Sequence, residues 1–212
     1  TVVVSLAEFI DEQGNPLPSW GGAIFHPETF RQRLLEGGFF PVHAALVRAK
    51  AVIQIGLFDE TLNSLEDWDL WLRLANSGYT AFCLPEKLVR YRITYGSMSS
   101  NIQRMHLNRL AVLAKHFGTE NDDFLAWSIE KQRSYAFAYR TTAFSCFAQD
   151  EVNHGWKYLI QAFELNPDLL RRLDTFYELA LGNQPKGSRG DAASLDIQES
   201  QKQIFLHLNA FF

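Results

Sequence analysis

Cysteine is scarce: Cys83 and Cys146 are the two in 212 residues, with no CxxC spacing and each set among apolar neighbours. That excludes a disulfide-framed small domain and reads as two reduced core thiols of a cytosolic protein. Long apolar runs are also absent. None approaches the ~18 residues of a membrane-crossing helix, so no span is expected in this chain, although a site at the inner face of a membrane stays open. Basic stripes are lacking: the net charge is −4, and Arg48 beside Lys50 is the longest basic feature, which speaks against a nucleic-acid partner. His26, His43, His106, His116, His154 and His207 are scattered, with no pair at metal-ligand spacing in one element, so no metal ligand is assigned here. An initiator Met and a signal-peptide pattern are missing too. The chain opens directly on the strand-like run TVVVS, and a piece of a longer protein is the expectation.

What is present is an ordinary globular balance, 47% hydrophobic and 21% charged, with an aromatic share of 14% and 17 phenylalanines. Such a chain can build an aromatic-rich interior in one large or two small domains. Val2 to Phe9 reads as a strand followed by the turn signal DEQGNP. A short helix is predicted over Pro27 to Glu36, ended by Gly37-Gly38. Phe39 to Arg48 starts extended, and GLFDE is a loop leading to a helix near Leu65 to Asn76. Tyr79 to Leu84 reads as a strand stopped by Pro85, and Leu88 to Ile93 as another. Gly96 to Ser100 is a loop with N-cap residues before a helix that ends at Phe117, closed by Gly118.

From there only helical patterns appear. Tyr139, Ala143, Gly155, Ala162 and Pro167 fall where a tetratricopeptide helix pair places its large, small and terminating residues. One such unit is too few to stand alone, so the pair is expected to dock on its neighbours, on a protein partner or on another copy of the chain. Gly182 to Ala192 reads as a loop, and Ser194 to Leu208 as a last helix. The organisation expected is 1–118 followed by a helical extension over 119–212.

The segment SLEDWDLWLRLANSGY, Ser64 to Tyr79, carries the chemistry. Ser64 is placed as the N-cap with Asp67 three residues on, a capping-box-like start. At ~100° per residue, Trp68, Leu70, Trp71, Leu72, Leu74 and Ala75 fill an apolar arc, and Glu66, Asp69 and Arg73 share the polar one. Asp67 falls on the apolar side, where an ionised carboxylate needs partners or a cleft. Two readings stand: a first-turn acid that caps amides, or a base at the mouth of a cleft.

The stretch GLFDETLNSLEDWDLWLRLANSGYTAFCLPEKLVRYRITYGSMS resembles the acceptor-side, C-terminal half of family 2 glycosyltransferases of the GT-A fold. The likeness extends, more faintly, back to the opening strand. It implies a fold class of α/β, a partial GT-A nucleotide-diphospho-sugar transferase fold, plus an all-helical C-terminal segment, with helix predominating. It implies an inverting transfer of a sugar from a nucleotide-sugar donor to a hydroxyl acceptor in bacterial surface polysaccharide or glycan synthesis. Asp67 maps onto the family's general base, with Glu66 as its neighbour. Trp68 is placed as a sugar-stacking surface, with core packing as its other use. Arg92 and Ser97 are placed as diphosphate-neutralising or substrate-binding residues, with an exposed strand residue as the other reading of Arg92.

Two departures bear on this reading. The family's metal-binding acidic motif lies upstream of where this chain begins. Thr94 stands in the YRITYGS turn where the family often carries a metal-holding His, and a neutral Thr is a poor ligand for a divalent ion. Mg²⁺ or Mn²⁺ is therefore expected for the full-length enzyme, with ligands mostly outside this chain, and the isolated chain is expected to be inactive. The rivals are a non-catalytic protein-binding module built on the helical tail, and a metal-dependent hydrolase using Glu66, Asp67 and Asp69. The hydrolase fits poorly because successive helical residues diverge in direction.

Overall fold

In the computed structural model, which describes residues 2–17, 24–94, 96–120, 123–172 and 175, the opening valine-rich run forms β1 (Val2–Ile10). It is the middle strand of a three-stranded sheet ordered β2-β1-β3. β2 (Ala45–Val47) pairs antiparallel, with Val2 opposite Val47. β3 (Ala81–Arg92) pairs parallel, with Val2 opposite Ala81 and Ile10 opposite Arg92. Val2, Val4, Ala7 and Ile10 are buried, as expected of a central strand flanked on both edges. The turn that follows is closed by the Asp11 carboxylate, which accepts from the backbone N–H and side-chain amide of Asn15 at 2.8 and 2.9 Å.

Pro85 does not end a strand. Tyr79 to Leu84 and Leu88 to Ile93, expected as two strands, are one, because the register slips twice against β1. Ser5 faces Leu84, Leu6 faces Lys87 and Ala7 faces Val89. Pro85 and Glu86 therefore bulge out of the ladder, where the missing proline N–H costs no pairing.

The predicted helix at Pro27 to Glu36 is shorter: a 3₁₀ turn, Pro27–Thr29, leads into α1 (Phe30–Leu34). Phe39 to Arg48, expected to start extended, contains a 3₁₀ turn (Val42–Ala44) and β2, and the short helix α2 (Ala49–Gln54) follows. α3 (Glu66–Asn76) matches the predicted helix. Its apolar arc is interior: the Trp68 indole donates to the Leu34 carbonyl at 2.8 Å, and Trp71 meets Phe40 at 5.4 Å between ring centroids. α4 (Ile102–Phe117) is capped by Asn101, whose side chain accepts from the Arg104 N–H, and it ends at Gly118 with φ 81°.

The chain divides into two compact units, Thr1–Ala138 and Tyr139–Phe212. In the first, the early residues of α5 (Ile129–Ala148) are tied to earlier segments. Glu130 receives a two-pronged pair from the Arg31 guanidinium at 2.8 and 2.9 Å, and the Tyr135 hydroxyl donates to the Gly118 carbonyl at 2.9 Å. In the second, Ala143, Phe147, Trp156 and Leu159 form an apolar cluster between the rest of α5 and α6 (Val152–Leu165). Gly155 permits that approach: a Cβ there would lie 2.6 Å from the Phe147 ring. The predicted loop at Gly182 to Ala192 and the last helix lie outside the described residues.

The molecule is mixed α/β with helix predominating. Among the described residues no helix is long and apolar enough to cross a membrane. Both cysteines are free. Cys146 is buried, which pushes its thiol up to about 11, and Cys83 is half-buried.

Candidate functional site

The first unit carries a cleft of about 670 Å³. One wall is Phe9 of β1 and Tyr91 of β3, whose rings sit 5.1 Å apart. The segment after α1 adds Gly38 to Val42, with Phe39 and Phe40 edge-to-face at 5.0 Å. The start of α3 supplies Ser64, Leu65, Glu66 and Asp67, and Ser97, Met98, Ser99 and Met105 close the far side. The cleft thus has an aromatic side and a side where two carboxylates and three serine hydroxyls stand among Leu65, Met98 and Met105.

The start of α3 differs from the capping box expected of it. The N-cap position is Leu65, in the left-handed region at φ 61°, and no side chain caps the helix from there. Ser64 is buried, and among the described residues its hydroxyl has no hydrogen-bond partner. The left-handed kink turns the chain so that Ser64, Glu66 and Asp67 all reach the same cleft. Asp67 is half-buried and accepts the Trp68 N–H at 2.7 Å. Its carboxyl is raised above the ordinary 3.8, first by burial and further by the Glu66 charge, against the lowering pull of the Trp68 amide. Burial outweighs the Trp68 amide, so Asp67 holds a proton more tightly than a free carboxyl does.

The other sequence candidates divide. Ser97 lines the cleft, its hydroxyl 3.2 Å from that of Ser99. Trp68 is buried in the core and is not part of the lining. Arg92 is not part of it either: its guanidinium donates to the carbonyls of Asp11 and Glu12 at 3.0 and 2.8 Å, bracing the turn after β1. Thr94 is exposed. Among the described residues no group of three or more His, Cys, Asp or Glu side chains converges as a metal site would require.

Asp69 is the residue that sequence reasoning misplaced. The helical wheel put it on the polar arc, yet it is fully buried. Its carboxylate takes the Arg73 guanidinium at 2.8 Å, the Lys115 ammonium at 2.9 Å and the His116 imidazole at 3.0 Å. Burial alone would raise its carboxyl, but hydrogen bonds from His116, Lys115 and Arg73 hold it at about 2. Lys115 also pairs with Asp59 at 2.7 Å, and Arg73 donates to the carbonyls of Ile55 and Leu57 at 2.7 and 2.6 Å. The Asp59 carboxylate additionally accepts from the N–H and hydroxyl of Thr61, and its carboxyl lies well below the usual range, held there chiefly by Lys115. The Asp of the FDE loop and the third acid of the EDWD run thus form one ionic knot that clamps α3 to α4 and to the loop before it. Asp67 stands two residues from that clamp.

No protein-family model matches the chain, and no solved structure matches it. Over 121 residues, 55% of this chain, it is 27% identical to a protein of Methanocaldococcus jannaschii described as an uncharacterized glycosyltransferase. The likeness is to a glycosyltransferase. The chain spans 40% of that relative's length.

Proposed function

We propose that this chain is the acceptor side of a family 2, GT-A glycosyltransferase that moves a sugar from a nucleotide donor to a hydroxyl with inversion. The observation that carries the reading is Asp67 at the cleft, a carboxylate whose proton affinity is raised by burial. In such a transfer the acceptor oxygen attacks the anomeric carbon, the bond from that carbon to the nucleoside diphosphate breaks, and the hydroxyl proton passes to a positioned base. Asp67 is that base, and Glu66 beside it sustains its basicity through like-charge repulsion. The likeness to a protein described as a glycosyltransferase supports the sugar-transfer part of this reading.

The divalent ion that the resemblance implies does not fit the described residues, which offer no converging ligand set, and Mg²⁺ or Mn²⁺ ligands are placed outside them. The donor diphosphate is likewise assigned to segments beyond the cleft, because among the described residues its lining holds no Lys or Arg. Synthesis of bacterial surface glycans is the process in which such a transfer fits.

In the full-length protein, Asp67→Asn is expected to cut turnover by at least ~10²-fold with the fold intact, the range for a lost general base. Glu66→Gln should cost less. Near-normal turnover in Asp67→Asn, with unchanged circular dichroism, would overturn the assignment.

A further inference from the structure

We infer that the cleft selects an uncharged, sugar-like acceptor that lays an apolar ring face on the aromatic wall and turns its hydroxyls toward α3, and that it discriminates against phosphorylated or carboxylated acceptors. The inference rests on the acceptor-side reading above and adds the chemical class of the acceptor.

Among the described residues, the lining contains two carboxylates, Glu66 and Asp67, and no Lys, Arg or His. An anionic group brought among them meets like charge with no counter-ion, in a site where partial burial weakens screening. Two basic groups touch the lining rings without joining the lining. The Arg33 guanidinium lies 4.7 Å over the Phe39 ring and donates to the Ile24 carbonyl at 3.5 Å, and His43 stacks on Tyr91 at 5.5 Å.

The opposite wall asks for an apolar surface. Phe9 and Tyr91 present neighbouring rings, which suit the C–H face of a pyranose or an aryl group. Ser97 and Ser99 give hydroxyls that both donate and accept. On the α3 side, Ser64 lines the cleft beside the two carboxylates, and among the described residues its buried hydroxyl has no hydrogen-bond partner. An acceptor of this class satisfies each half of the cleft at once.

The test uses the whole 212-residue chain, isotope-labelled, at about pH 8, where imidazoles are generally neutral. Amide shifts are titrated with methyl and phenyl hexopyranosides and with the matching hexose 6-phosphates and uronates. The neutral glycosides are expected to shift residues 64–67, 91 and 97–99, phenyl more strongly than methyl, with the anionic sugars at least about tenfold weaker, as like-charge repulsion at intermediate dielectric gives. Glu66→Gln should narrow that gap by about threefold. Equal or tighter binding of the phosphates or uronates would overturn the neutral-acceptor inference while leaving the glycosyltransferase reading intact. Absence of cleft shifts with every sugar would overturn the inference and the acceptor-side placement together.

Discussion

At the scale of single residues, two aspartates two positions apart on α3 are driven in opposite directions. Asp67, desolvated beside Glu66, has its carboxyl raised above 3.8, so the fraction able to accept a proton falls as pH falls through that raised value. With Asp67 in the proposed role of base, the kcat/KM profile of the full-length protein should show an acid limb with a midpoint above the ordinary Asp range, and Glu66→Gln should move it down. Asp69 behaves the other way. Its carboxyl at about 2 in the folded chain lies below the 3.8 of the free group, so its stabilising contribution is fully present above 3.8 and is lost as pH falls toward 2. The shift corresponds to about 2 kcal/mol. Asp69→Asn should cost about 1–3 kcal/mol near neutral pH, because Arg73, Lys115 and His116 lose a buried charged acceptor while Arg73 and Lys115 keep their other partners. Urea unfolding of the variant should also lose much of the pH dependence between about 4 and 2. The wheel could not reveal this. A helical projection sees neighbours within α3, and the partners that bury Asp69 stand 46 and 47 positions later, on α4.

At the scale of elements, α3 was legible from its 3.6-residue apolar period, and α4 from the N-cap residues before it and the stop at Gly118. The cap of α3 was not, because Ser64 has the right chemistry for a cap while the chain reaches the helix through a left-handed Leu65 instead. β3 was misread as two strands, since a proline removes one N–H from a ladder but a bulge removes the need for it. In the helical tail, small residues were read as packing positions, and Gly155 shows what smallness does there. Gly→Ala in a helix interior ordinarily gains about 1 kcal/mol. Here the added methyl would meet three atoms of the Phe147 ring at 2.6–2.9 Å, and overpacking costs about 1–3 kcal/mol. The clash should win: Gly155→Ala is expected to lower the Tm, and Gly155→Ala combined with Phe147→Leu should recover part of the loss.

At the scale of the molecule, the first unit extends to Ala138, and its coherence is ionic as well as apolar. A path of polar contacts runs from Asp59 through Lys115, Asp69 and His116 to Asn76, Arg31 and Glu130. It joins residues that are up to 99 positions apart in sequence. A fragment ending at Gly118 would lack Glu130 and the buried Tyr135 that donates to Gly118. Guanidinium unfolding should show a lower midpoint for a 1–118 fragment than for a 1–138 fragment. Equal midpoints would mean that residues 119–138 add nothing to the unit.

The double bulge at Pro85 bears on solubility. Among the described residues β3 is an outer strand of the sheet, and it exposes Phe82 and Leu88. A flat outer strand of that kind is a template on which a second molecule can polymerise edge to edge. Pro85 and the two register slips interrupt the strand midway, and bulges of that kind twist an edge out of line. The irregularity that made β3 hard to recognise is thus also its guard against fibre growth. Pro85→Val should raise concentration-dependent light scattering on storage while leaving the far-UV circular dichroism of the fresh protein unchanged.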